Sequence, residues 1–385
     1  MLDTDCSKRF IALDVFRGST IMMMILVNMP GSYSYIYPLL EHAPWEGCTL
    51  ADIVFPFFLF SVGVSGFLSS HKYKHSLSFS LVKKIICRTV MLFTIGILIN
   101  TYPFFNTNEV LSWNNVVSHW SQLRVFGVLQ RIGLAYCGAM LLCCWLQSMR
   151  AIITISLFIL VVSWLGFIIY NPLAPYDIAN NISRAVDSWF FGDIHLYKGY
   201  GEISFDPEGL YGTFTSMVNI MIGFVTGRFI CLAKQNDSKD LKILGLIGIL
   251  LLGIGYWLSS FNIISKPLWT SSYVLYVSGA AILLLATLIY CLDAQKLSLK
   301  FIRPTLVFGA NPLLLYIVAE FVARSMDIPL QALAGESLRI WQWNNVFQHI
   351  TLNPELDSLI FGIVYVLVYW VLAEILYRRN LFIKI

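Results

Sequence analysis

Charge is scarce in this chain of 385 residues: only 12% are Asp, Glu, Lys or Arg, where about 25% is usual in soluble domains. Together with 57% hydrophobic residues and a mean hydropathy of +0.71, that scarcity excludes a water-soluble globule and makes this an integral membrane protein in contact with the lipid bilayer. A glycine-rich phosphate loop and a dinucleotide fingerprint are both missing. The eight cysteines are scattered, with only Cys48 clearly near an outer face, so neither a disulfide framework nor a metal-ligand spacing emerges. We expect no structural disulfide and no metal. Met1 to Ile11 is polar and the first apolar run has no small-residue cleavage site after it, so the first helix is expected to stay as an anchor rather than be removed. Internal repeats and low-complexity stretches are also lacking, and residues 1–385 read as a single transmembrane domain.

What the chain does have is a succession of apolar runs of about 20 residues, the length that crosses a hydrocarbon core. They lie near 12–29, 50–69, 84–101, 124–146, 150–170, 211–232, 242–261, 271–292, 304–324 and 357–377. The expected fold is an all-α polytopic helical bundle of about ten transmembrane helices. Lys and Arg set its orientation. With the N-terminus inside, 18 basic residues fall in cytoplasmic segments (among them Lys8, Arg9, Lys72, Lys74, Lys234, Lys296 and Lys384) and 4 in outer loops, namely Arg184, Lys198, Lys266 and Arg339. This positive-inside split predicts cytoplasmic N- and C-termini. The net charge of +4 is then a topology signal and no indication of nucleic-acid binding.

Three extracytoplasmic loops follow, near 30–48, 171–210 and 325–354. Asn28 to Asp52 is the richest in chemistry, because it sets ionisable and hydrogen-bonding side chains between two very apolar runs, with His42 in its middle. Polar groups at a membrane boundary cost free energy unless they are paired, so they mark a functional site by default. The other two loops, rich in Trp, Tyr, Asn and Asp, suit either a cap over that site or a headgroup-level belt. Within the spans, Asp14 and Arg17 are i,i+3 neighbours that can pair or hold an anion, Gln130 and Arg131 enter a helix from outside, and Asn219, Glu320, Arg324 and Glu374 read as bundle glue.

Nine segments in register carry a resemblance. LDVFRG (13–18), VNMPG (27–31), HAPWEGCTLADIVFPFFLF (42–60), GVLQRIG (127–133), FFGDIHLY (190–197), FDPEGLYGT (205–213), KPLWTSSYVL (266–275), GANPLLLYI (309–317) and YRRNLFIKI (377–385) together resemble the heparan-α-glucosaminide N-acetyltransferase family in its bacterial form. The resemblance implies a transmembrane transferase that takes acetyl from cytoplasmic acetyl-CoA and gives it to the amine of an extracytoplasmic glucosamine or terminal glucosaminide. It also implies a homodimer and a cell-membrane location. The family's catalytic His matches His42, its partner Asn matches Asn28, and its acid ten residues beyond the His matches Asp52. The loop between Asn28 and His42 is slightly longer than in the animal enzyme.

Acyl transfer to an amine needs a base for the amine's proton and donors for the oxyanion formed at the thioester carbon. His42 suits the base and Asn28 the donor, while Asp52 suits either orienting His42 or holding the cationic amine. We assign Arg17, Asp14, Gln130 and Arg131 to the donor, with Arg228 and Arg303 as weaker phosphate contacts, and Trp45, Glu46, Asp206 and Glu208 to the acceptor. Two other readings compete. One is an O-acyltransferase acting on an envelope glycan; the other is a secondary sugar transporter, which should concentrate polar residues at mid-membrane in a pair of broken helices.

Overall fold

Helices α1 (Ile11–Asn28) and α2 (Leu50–Ser70) flank the polar segment, and both are held in the bundle by glycines. A Cβ on Gly63 of α2 would lie 2.0 Å from the carbonyl oxygen of Ile220 in α8 (Leu210–Leu232), and one on Gly223 of α8 would lie 2.1 Å from that of Phe60. The α1 crossing with α11 (Leu299–Ala310) repeats the device, since a Cβ on Gly18 would meet the Thr305 carbonyl oxygen at 1.7 Å. In a bilayer the lipid tails are as apolar as the side chains, so close backbone packing has to supply association that hydrophobicity does not.

The structure is a computed structural model describing residues 11–383 except 71–75, 108–111, 233–237, 295–298, 331–332 and 334. Lys8, Arg9, Lys72, Lys74, Lys234, Lys296 and Lys384 therefore lie outside the described residues. All the regular structure among the described residues is helical apart from two isolated β-bridges. The remaining long helices are α3 (Phe79–Thr101), α5 (Val128–Leu146), α6 (Met149–Tyr170), α9 (Ser238–Leu258), α10 (Ser271–Ile289), α12 (Pro312–Met326) and α14 (Pro354–Arg378), with shorter α4 (Trp113–Ser121), α7 (Ile182–Phe191) and α13 (Leu338–Gln342) between them. Helix α2 is the buried centre, packed on α1, α5, α8 and α10. Helices α6, α9 and α14 are apolar around their circumference yet mostly exposed. Such faces are stable only against lipid.

All ten expected runs are helical, with two adjustments. Among the described residues, eight helices are individually long and apolar enough to cross a membrane. The run at 84–101 is not one of them; it is α3, whose first half carries Lys83, Lys84 and Arg88 but whose 23 residues span about 34 Å. The run at 304–324 is not one straight helix. It breaks at Asn311 into α11 and α12, bent by 75°, because Pro312 cannot continue the ladder of α11. The Phe308 carbonyl, which Pro312 cannot meet, accepts from the Asn311 N–H at 3.3 Å, and the buried Asn311 side chain ties the break to the C-terminal segment by donating to the Leu381 carbonyl at 2.9 Å and accepting from the Ile383 N–H at 2.9 Å.

Segments 171–210 and 325–354 pack back on the chain near α1 and the His42 loop. Trp45 donates to the Tyr176 carbonyl at 2.8 Å and packs edge-on against Phe205 and Tyr200, so the first segment closes over the His42 loop. In the second, buried Arg339 pairs with Asp327 at 2.6 Å and donates to the Pro30 carbonyl at 2.9 Å, which straps down the chain leaving α1.

Candidate active site

A defect in α2 prepares the site. Pro56 sits in the second turn of the helix and has no N–H, so the Asp52 carbonyl loses its i+4 partner. Tyr273 of α10 replaces it, donating its hydroxyl to the Asp52 carbonyl at 2.6 Å. The Asp52 side chain is fully buried. Its Oδ2 accepts from the Ala43 N–H, the Thr49 N–H and the Thr49 hydroxyl, each at 3.1 Å, and its Oδ1 lies 2.8 Å from His42 Nδ1. A carboxylate can only accept, so Nδ1 donates and Nε2 keeps its lone pair. The imidazole is about half exposed, at 46%, so this basic nitrogen can meet a substrate.

Lys266 completes the cluster. Its Nζ lies 3.0 Å from His42 Nδ1, 3.4 Å from Nε2 and 3.5 Å from Asp52 Oδ1. The loop that carries it is docked on the His42 segment by the Gly47 N–H, which donates to the Ile264 carbonyl at 2.7 Å. Burial lowers the Lys266 amine from its ordinary range, while Asp52 opposes the shift.

Asn28 closes α1 and donates to Glu320 of α12 at 3.1 Å. The Glu320 and Glu208 carboxylates lie within electrostatic range of each other, and Glu208 also acts on Lys266 and Arg131. Asp206 and Glu208 are both held by Arg124, which reaches Asp206 through two bonds at 2.8 and 2.7 Å and also contacts Glu208. Burial works against the Arg124 charge, yet the two carboxylates hold its pKa above the ordinary value. Glu46 is exposed. Buried Gln130 donates to the Val125 carbonyl at 3.2 Å. Buried Arg131 stacks on Trp269 and donates to the Gly209 carbonyl at 3.0 Å, leaving Nε and Nη1 without a partner.

Arg17 and Asp14 are apart from this group, three and four turns back along α1, about 16 Å from Asn28 for Arg17. They pair at 3.6 Å, and Arg17 also contacts Ser65. Arg88 of α3 lies within electrostatic range of Arg17 and stacks on Tyr136, with its buried Nε unpartnered. Sequence reasoning passed over Lys266, Tyr273 and Arg88 as site residues. Only membership in KPLWTSSYVL singled out the first two, and a partner 224 positions away has no local signal. Among the described residues, no three His, Cys, Asp or Glu side chains converge as a metal site.

Asp187 of α7 is a further buried acid. Its Oδ1 accepts from the Leu210 N–H at 2.7 Å, while Oδ2 has no partner. Burial pushes its pKa up to about 7, with Asp206 adding to the shift and Arg131 opposing it. The native state thus holds a proton that the unfolded chain releases near pH 4, so this group's contribution to stability is lost as pH rises from about 4 through 7. Asp187→Asn keeps the Oδ1 acceptor without the charge. Its thermal midpoint in detergent should match wild type near pH 5 and exceed it by several degrees at pH 8; equal midpoints at both values would show that Asp187 does not titrate in this window.

Comparisons with known proteins bear on this constellation. Residues 9–184 match the family model described as heparan-alpha-glucosaminide N-acetyltransferase, catalytic. That stretch includes Arg17, Asn28, His42, Asp52, Gln130 and Arg131, while Asp206, Glu208, Lys266 and Glu320 lie beyond it. The heparan-alpha-glucosaminide N-acetyltransferase of Homo sapiens is 29% identical over an alignment covering 98% of this chain and 60% of its own length. That of Mus musculus is 28% identical, covering 98% of this chain and 61% of its own. The chain spans about three-fifths of the length of these curated relatives.

Proposed function

Because the chain belongs to the heparan-α-glucosaminide N-acetyltransferase family, we propose that it is a transmembrane acetyltransferase moving acetyl from cytoplasmic acetyl-CoA to the amine of an extracytoplasmic glucosamine or terminal glucosaminide. The observation that carries this reading is the imidazole of His42, half exposed and oriented by Asp52 at 2.8 Å through Nδ1, which leaves Nε2 its lone pair. In this reading Nε2 takes the amine's proton as nitrogen attacks the thioester carbon. Asn28, which has two amide hydrogens and commits one to Glu320, turns the other to the oxyanion. Trp45, Glu46 and Glu208 face the acceptor, and Asp206 fixes their segment through Arg124.

The donor's phosphates lie at the other end of the bundle, where Arg17 and Arg88 give an excess of positive charge. Arg131, at the His42 end, meets the part of the donor near the thioester. The 18 to 4 distribution of basic residues supports placing both termini and the phosphates in the cytoplasm and His42 outside. Direct transfer within a ternary complex suffices, since one base and its donors account for the chemistry.

The test uses purified protein in vesicles, oriented with His42 facing the lumen, with glucosamine inside and acetyl-labelled acetyl-CoA outside. Labelled N-acetylglucosamine should accumulate in the lumen while CoA stays outside. The broken helix at Asn311 is the one feature that favours a transporter. Export of unmodified glucosamine would establish that reading instead, and acetylation of a glycan hydroxyl in preference to the amine would establish O-acyl transfer.

A further inference from the structure

We infer that Lys266 is a catalytic residue that donates a hydrogen bond to the thioester oxygen as it becomes an oxyanion. This rests on the acetyl-transfer reading and assigns a role to a residue that lies outside the matched stretch 9–184 and that the segment KPLWTSSYVL brings into the resemblance without a role. Its Nζ sits 3.4 Å from His42 Nε2, the nitrogen left free by Asp52. A reacting amine placed on Nε2 puts its electrophilic carbonyl within the reach of a lysine this close. Asn28 has one amide hydrogen on Glu320, so it offers at most one bond to the oxyanion. Such oxyanions are best held by two or more donors already in place.

The Lys266 ammonium is positioned for that. Its side chain is only 17% exposed, so its field is weakly screened, and its loop is anchored by the Gly47 to Ile264 bond and by the Thr270 hydroxyl donating to the Ile263 carbonyl at 2.7 Å. Asp52 Oδ1, at 3.5 Å, holds the cation without closing all three of its N–H bonds. In the step, the amine nitrogen forms a bond to the carbonyl carbon, and the carbonyl π electrons move to oxygen, which Lys266 meets. The amine's proton passes to His42 Nε2. Collapse then breaks the carbon–sulfur bond, and the CoA thiolate leaves with the proton from the imidazolium.

The test measures glucosamine acetylation by the full-length protein and its Lys266→Met and Lys266→Arg variants, together with thermal stabilisation by acetyl-CoA. Lys266→Met, close in shape but without charge or donors, should lose about 10² to 10³-fold in kcat with an unchanged KM for acetyl-CoA and unchanged stabilisation. Lys266→Arg should recover at least tenfold of the loss. Ethylammonium added to Lys266→Ala should raise the rate saturably, which a purely structural lysine would not allow. Lys266→Met turning over within threefold of wild type overturns the role, as does failure of both Arg and ethylammonium to restore activity. Should Lys266→Met not fold, the Arg variant and the ethylammonium titration decide. Wild type without turnover would instead count against acetyl transfer itself, so the two failures are distinct.

Discussion

His42→Ala lowers acetyl transfer by about 10² to 10⁴-fold, the usual consequence of losing a general base, while acetyl-CoA still raises the thermal midpoint of the variant. The two outcomes separate because His42 is about half exposed, with its polar contacts running to Asp52 and Lys266, and because the proposed phosphate contacts, Arg17 and Arg88, are at the far end of α1 and α3. Ligand that binds the native state must stabilise it, so a retained shift shows that the variant is folded and loaded. Turnover near that of wild type in such a preparation would remove His42 from the mechanism. Labelled acetyl trapped on His42 of the wild-type protein in a rapid quench would replace direct transfer with a two-step scheme.

Gly223→Val prevents recovery of folded protein. The new Cβ would stand 2.1 Å from the Phe60 carbonyl oxygen, and that atom belongs to the backbone of α2, which cannot rotate away. Overpacking usually costs about 1–3 kcal/mol when side chains can shift; here α2 and α8 must separate, and α2 carries Asp52 and Pro56. Gly245→Val in α9 is the control, because a Cβ there meets nothing within 4 Å. Size-exclusion profiles and thermal midpoints in detergent compare the two. If Gly223→Val is as monodisperse and as stable as Gly245→Val, the close crossing of α2 and α8 does not hold the bundle together.

The all-α membrane class and the polar boundary were legible in the sequence because both are set by composition along the chain: runs of 20 apolar residues have no other stable place than the bilayer, and a cluster like Asn28 to Asp52 stands out against them. The count of ten was not, since among the described residues eight helices are long and apolar enough to span, or nine with the bent pair at Asn311. The break at Asn311 was within reach too, since Asn311-Pro312 is a local stop signal, but the apolar residues on both sides masked it. The orienting acid was readable only through the resemblance, as nothing in the spacing of His42 and Asp52 alone requires contact. Lys266 was out of reach for a different reason. Its partners are set by how α10 packs on α2, and in sequence it looked like one of a few outer cations. The same holds for Asp206, which reads as a sugar ligand in FDPEG and turns out to be bound to Arg124, 82 positions away.

The missing hydrogen bond at Pro56 makes residues on two helices a single unit of heredity. Restoring an N–H at position 56 would return the Asp52 carbonyl to its own helix and leave the Tyr273 hydroxyl competing for it inside a dry bundle. Replacing Tyr273 with Phe would orphan the carbonyl instead. Either change alone removes what the other was there to meet, so drift at these positions should proceed in pairs, and a designer who idealises α2 must redesign the first turn of α10 with it.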